Sequence, residues 1–192
     1  MEDFAVENHV PIIKEAEREL FKQIITEYKP KNILEIGTAI GYSALLMASC
    51  GLENKEPIKI TTLELSNERA KIAQEFIDSS IFKDDIKIIL GDAGQTLLEL
   101  NGKFDIVFID AAKGQYPDYL KKIMPMMSEK AVIVADNVLF RGYVKSEEKP
   151  PRRYKTIVKR LREYLELIER EYGFTTVVYE EGDGLAVSKK RE

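Results

Sequence analysis

The chain has 192 residues, 44% of them hydrophobic and 32% charged, and a formal net charge of −4. This is enough chain for one α/β domain with a substantial core and too little for two typical ones, and its mild acidity argues against indiscriminate nucleic-acid binding. A lone cysteine, Cys50, excludes an internal disulfide, and no apolar run approaches membrane-spanning length or the pattern of a signal peptide, so the expected location is cytoplasmic.

In chain order, residues 11–28 begin with proline and place Ile13, Leu20, Ile24 and Ile25 near one face, which predicts an amphipathic helix. Ile33 to Ile36 is a short apolar run that stops at Gly37, and Gly41 then opens a helical stretch from Tyr42 to Ala48. Strand, glycine turn and helix are how α/β folds present backbone and a helix N-terminus to a nucleoside-containing cofactor. Glu35, inside the strand end, disfavours a pyrophosphate and favours a cationic cofactor. The glycines are also spaced G-x-x-x-G, unlike the G-x-G-x-x-G of dinucleotide folds. Further strands are predicted at 58–63 before Glu64, 86–90 before Gly91-Asp92, 104–109 before Asp110, and 131–135 before Asp136-Asn137. Helices are predicted from Ser66 to about Asp78, after Gly94 and after Pro117. A polar segment, 140–153, is expected to be mobile and leads into a long helix to Arg170; strands at 174–179 and 185–188 close the chain as a hairpin. Five strands alternating with helices specify a parallel sheet with helices on both faces, in one domain over residues 1–192.

Ligands of such sheets bind at the carboxyl ends of the strands, and here those ends carry Glu35, Glu64, Asp92, Asp110 and Asp136-Asn137. A single acid there is commonly a helix cap, but five in succession point to a site. Glu64, 27 residues after Gly37, can accept two hydrogen bonds from the vicinal hydroxyls of a ribose. Asp92-Ala93 can meet an adenine edge, or Asp92 can simply form a turn. Asp110, Asp136 and Asn137 form a hard oxygen set suited to Mg²⁺ or Ca²⁺. Lys113 is either a solvated loop lysine or, beside a metal site, a base. His9, the only histidine, makes a zinc or Ser-His-Asp assembly improbable. Residues 145–162 hold eight cations and two acids, a local charge of +6 against −10 for the remainder. With Ile157, Leu161, Leu165 and Ile168 as the buried stripe, the cations form either a solvated helix face or, through Pro150-Pro151-Arg152-Arg153-Tyr154, a platform for a polyanion.

L-E-I-G-T-A-I-G-Y-S, L-E-L with Glu64, G-D-A, F-I-D-A-A-K-G-Q-Y, A-D-N-V-L and the terminal D-G-L-A-V resemble the metal-dependent O-methyltransferase family, which includes catechol and caffeoyl-CoA O-methyltransferases and uses S-adenosylmethionine. The resemblance covers nearly the whole chain. It implies a doubly wound, Rossmann-like seven-stranded sheet with an antiparallel last strand, the class I methyltransferase fold. It further implies that Glu35, Gly37 and Ser43 line the methionine end of the cofactor, Glu64 holds the ribose, Asp92 and Ala93 flank the adenine, and Val10 touches the cofactor from the lid side. Asp110, Asp136 and Asn137 would bind Mg²⁺, with Asp110 also bordering the cofactor and sharing the catalytic role with Lys113, the base or orienting cation. F-I-D-A-A-K-G-Q-Y and P-R-R-Y look most like the bacterial tRNA 5-hydroxyuridine methyltransferases, which implies tRNA as a partner met by Arg152 and Arg153. The alternative is a small catechol-like phenol. A homodimer is expected, although the residues before the first motif leave little room for the additional N-terminal helix that the resemblance associates with a lid or dimer contact.

Overall fold

The structure, a computed structural model, describes residues 1–191. Seven strands form one sheet in the order β3-β2-β1-β4-β5-β7-β6. The chain divides into two compact units, Met1–Thr96 and the remainder from Leu97.

In the first unit, β1 (Asn32–Ile36), β2 (Lys59–Glu64) and β3 (Ile86–Leu90) are parallel, with Ile36 opposite Leu63 and Glu64 opposite Leu90. Four of the five β1 residues are buried, as expected of a strand covered on both faces, whereas the edge strand β3 buries only Ile86. The predicted first helix begins later than the sequence suggests. Pro11 to Lys14 carry no regular structure, Lys14 being extended, and the helix itself, α2, is Glu15–Tyr28. Glu15 and Glu17 in its first turn complement the helix dipole, and its buried face is Phe21, Ile24 and Ile25; Ile13 lies outside it. Two helices, not one, precede the sheet, because Glu2–Glu7 forms a short α1 that packs Phe4 edge-on against Phe76, with ring centroids 5.5 Å apart. Phe76 lies on α4 (Asn67–Asp78), which starts where predicted: the Ser66 hydroxyl accepts the Arg69 N–H. Between β1 and β2 runs α3 (Tyr42–Asn54), where Cys50 is buried and burial pushes its thiol up. Strand β3 leads into α5 (Ala93–Glu99).

In the second unit, β4 (Phe104–Ile109) and β5 (Met127–Ala135) are parallel, and α6 (Tyr116–Ile123) lies between them in sequence. β5 starts four residues earlier than predicted, because a register irregularity after the Phe104–Met127 pair absorbs the extra residues before Val132 meets Ile106. The last strand, β7 (Leu185–Lys190), is antiparallel to both β5 and β6 (Phe174–Tyr179), as expected. The long helix α7 is Lys155–Arg170, entered through a single 3₁₀ turn at Arg152–Tyr154. Its buried stripe is Val158, Leu161, Tyr164 and Ile168, one residue round from part of the predicted set, since Ile157 and Leu165 are only half-buried.

Gly184 fixes where the closing hairpin meets the segment after β5. Its carbonyl accepts the Val138 N–H at 3.0 Å, its φ is +86°, and a Cβ there would lie 2.4 Å from Leu139 Cγ. Gly184→Ala should therefore cost about 2–4 kcal/mol, combining a left-handed conformation with overpacking of a buried leucine. Urea unfolding measures it, and a loss under about 1 kcal/mol would show that the contact relaxes easily.

Candidate active site

In the first unit the glycine turn is built from alternating backbone hands. Gly37, Ala39 and Gly41 all have positive φ (109°, 48° and 83°). The Gly37 and Thr38 N–H groups both donate to the Leu63 carbonyl, which fastens the turn to the end of β2. Gly41 begins α3, and a Cβ there would come 3.3 Å from Ala73 Cβ on α4. Ala39 holds a conformation that costs an L-residue about 1–2 kcal/mol, and its N–H donates to Glu64 Oε2 at 2.8 Å.

Glu64 thus holds the turn as well as ending the strand. Its other oxygen accepts the Ser66 N–H at 2.8 Å, and its carbonyl accepts the Gly91 N–H, which sets the β3 end beside it. Each carboxylate oxygen has two acceptor sites, so these two bonds leave Glu64 with capacity for a pair of ligand hydroxyls. Glu35 is fully buried and accepts the hydroxyls of Ser43 and Thr62, while Thr62 and Thr38 are linked at 2.6 Å. A carboxyl group buried among hydroxyls is a suitable counterpart for a cationic ligand. The sequence signals Thr62 only as a β-branched polar residue in a buried parallel strand, and Thr38 only as a member of the glycine turn.

Asp92 is exposed and caps α5, its Oδ1 accepting the Gln95 N–H at 3.1 Å, the turn role that the sequence allows it. Val10 is placed by α1, its N–H bonded to the Ala5 carbonyl. α1 is also fastened through Glu2, which accepts the Tyr42 hydroxyl at 2.7 Å and pairs with Arg18 at 2.9 Å. Burial and then the Glu2 bond push the Tyr42 phenol up to about 12.

In the second unit the structure brings Asp110, Lys113, Asp136 and Asn137 together. The Asp136 N–H donates to the Ile109 carbonyl, so the residues after β4 and β5 are neighbours. Asn137 is left-handed at φ 54°, and both its backbone N–H (2.6 Å) and its amide nitrogen (3.2 Å) donate to Asp136 Oδ1, so its amide oxygen is not used in these bonds. Lys113 Nζ lies 3.9 Å from Asp110 Oδ1. Burial pushes the Asp110 carboxyl up, and Lys113 only partly opposes this. A half-buried carboxylate, with a second carboxylate and an amide side chain just past the neighbouring strand end, has the donor chemistry of a site for a hard divalent cation. Among the described residues no group of three or more His, Cys, Asp or Glu side chains converges.

Beneath this set lies Tyr116, fully buried, its hydroxyl aimed at the carbonyls of Asp136 (2.9 Å) and Ile109 (3.2 Å), its ring edge-on to Tyr164. The sequence offers it only as the end of an F-I-D-A-A-K-G-Q-Y run. The turn at Lys113–Gln115 is held from α7 by Arg160, whose Nε donates to the Gly114 carbonyl at 2.9 Å while its other nitrogens reach Asp118 and Glu163.

The basic segment is less uniform than its charge count. Arg160 is committed to that turn, Arg162 donates to the carbonyls of Tyr143, Val144 and Ser146, and Lys145 pairs with Glu180. The segment expected to be mobile thus has its first half pinned by Arg162. Arg152 and Arg153 are exposed, Arg153 lying over the Tyr154 ring at 4.5 Å, which Arg141 also approaches.

The seven-stranded sheet with its reversed last strand and glycine turn is the class I methyltransferase fold. The chain belongs to the O-methyltransferase family, whose model matches residues 5–191. It is 36% identical over 132 residues to a catechol O-methyltransferase of Niastella koreensis, an alignment covering 66% of this chain and 58% of that protein. It is 29% identical to the mouse catechol O-methyltransferase over 68% of this chain and 51% of that one. The chain thus spans little more than half the length of these curated relatives. A solved structure of a candidate caffeoyl-CoA O-methyltransferase from Staphylococcus aureus superposes with a TM-score of 0.87 at 34% identity, covering 99% of this chain and 90% of that one. A Podospora anserina methyltransferase solved with S-adenosylhomocysteine gives 0.83 at 26% identity, covering 94% and 80%. None of these names carries an RNA. No helix among the described residues is long and apolar enough to cross a membrane.

Proposed function

We propose that the chain transfers a methyl group from S-adenosylmethionine to one of two vicinal oxygens of a catechol-like phenol, with Mg²⁺ or another hard divalent cation at Asp110, Asp136 and Asn137. What supports this reading is that Asp110 directly follows β4 and Asp136-Asn137 directly follows its parallel neighbour β5, with the Lys113 amine 3.9 Å from Asp110. When bound, the cation would supply chelation of the two acceptor oxygens and a lowered hydroxyl pKa. S-Adenosylmethionine would supply a methyl group on a sulfonium, displaced in line.

This chain's own residues do the holding. Glu64 accepts the ribose hydroxyls, Glu35 with Gly37 and Ser43 receives the cationic methionine end, Asp92 and Ala93 border the adenine, and Val10 covers from α1. Asp110, besides holding the cation, borders the cofactor, and Lys113 takes the acceptor's proton or orients its oxygen.

A second reading, 5-hydroxyuridine in a tRNA anticodon loop, presents the same vicinal oxygens and is favoured by one observation, the exposed Arg152 and Arg153 at the start of α7. The names of the relatives favour the phenol. Transfer of labelled methyl to a simple catechol and to tRNA carrying 5-hydroxyuridine, each with Mg²⁺ and with EDTA, decides. Mg²⁺-dependent label in catechol far above tRNA is the expected result. Label in tRNA alone would move the assignment to the second reading, and label in neither would overturn both.

A further inference from the structure

The last paired residues of β4 and β5 are Ile109 and Ala135, and just beyond them the Asp136 N–H donates to the Ile109 carbonyl at 2.9 Å. The next carbonyl, that of Asp136, has left the ladder. It is met by the Tyr116 hydroxyl, which also faces the Ile109 carbonyl. Tyr116 is itself immobilised: it is fully buried in the first turn of α6 and packs edge-on against Tyr164, with centroids 5.6 Å apart. One donor therefore ties the backbone of one metal-ligand candidate to the residue just before the other.

We propose that Tyr116 is a positioning residue that fixes the separation of Asp110 and Asp136, and through it the affinity of the cation site, an inference that rests on the metal reading above. It touches neither the cation nor the acceptor and acts through the two strand ends. Partners behind a ligand set typically change metal affinity by about 10–100-fold when removed. Tyr164 supplies an internal comparison: it is equally buried in the same aromatic pair, yet its hydroxyl has no hydrogen-bond partner among the described residues.

The test is Mn²⁺ titration of the purified protein by electron paramagnetic resonance, with no methyl donor or acceptor present, together with calorimetric titration of S-adenosylhomocysteine. Tyr116→Phe should raise the Mn²⁺ dissociation constant about tenfold or more and leave S-adenosylhomocysteine affinity within twofold. Tyr164→Phe should leave both within twofold. Tyr116→p-aminophenylalanine, which restores a donor, should return Mn²⁺ affinity to within threefold of wild type, and it carries the test if Tyr116→Phe does not fold. Wild-type Mn²⁺ affinity in Tyr116→Phe, or no recovery in the amino variant, would overturn the inference. So would parallel weakening of both ligands, the mark of a merely structural role. Failure of the wild-type protein to bind Mn²⁺ would instead remove the metal reading on which the inference stands.

Discussion

Asp136→Ala is expected to abolish Mg²⁺-dependent methyl transfer, by about 10³-fold or more, while the protein stays folded and binds S-adenosylhomocysteine as before. The size follows from the several kcal/mol that a cation contributes to charge stabilisation at a reacting oxygen, each 1.36 kcal/mol being about tenfold in rate. The fold should survive because the backbone bonds of Asp136, its N–H to Ile109 and its carbonyl to Tyr116, do not involve the carboxylate. The side chain does hold the left-handed Asn137, whose N–H it accepts at 2.6 Å, so alanine also loosens the third donor. Asp136→Asn separates the two effects: it keeps an acceptor for Asn137 and removes the charge. Initial rates across a Mg²⁺ series measure the loss, and activity that persists in EDTA would sink the metal assignment.

Glu64→Ala is the second large effect, expected to weaken S-adenosylhomocysteine binding by about 10²-fold or more. A hydrogen bond to a charged group contributes about 1.5–3 kcal/mol, and two ribose hydroxyls would each make one. The same change takes the acceptor from the Ala39 N–H, which lies in a conformation that is unfavourable for alanine. The turn should loosen too, so thermal stability will fall along with affinity. Glu64→Gln keeps acceptor capacity without the charge and should fall between. Calorimetry with Mn²⁺ titration in parallel tests this: lost S-adenosylhomocysteine affinity with Mn²⁺ binding intact is the expected pattern. Unchanged nucleoside affinity with lowered stability would reduce Glu64 to a holder of the turn.

Much of this was legible in the sequence because it depends on local patterns. Apolar runs bounded by glycine or acid located six strands to within a residue or two at their starts, and Ser66 marked its helix by the chemistry of capping. What escaped depends on contacts distant in sequence. The start of α2 moved because the residues after Pro11 carry no helix and Lys14 is extended, which no helical spacing reveals. Helix α1 escaped because six residues have almost no intrinsic stability; it is held by Phe4 on Phe76 and by Glu2 on Tyr42 and Arg18, partners 16 to 72 residues away. At the site, residue type and strand-end placement were enough to nominate Glu64, Asp110, Asp136 and Asn137. They could not nominate Tyr116 or Arg160, which act by reaching backbone carbonyls, and backbone carbonyls leave no mark in a sequence.

Arg160 and Arg162 also mean that the +6 segment contains two populations of cation. One pair is tied to backbone carbonyls and holds the turn that carries Lys113 and the loop at 143–146. Of the others, all exposed, Lys145 pairs with Glu180, and the rest lie at 149, 152, 153, 155 and 159. Substitutions in the second group should leave the transfer step intact, and under the tRNA reading they would alter only how the acceptor is held. Substitutions in the first group should disturb that step. A lineage that changes substrate should therefore vary at 152 and 153 long before it varies at 160.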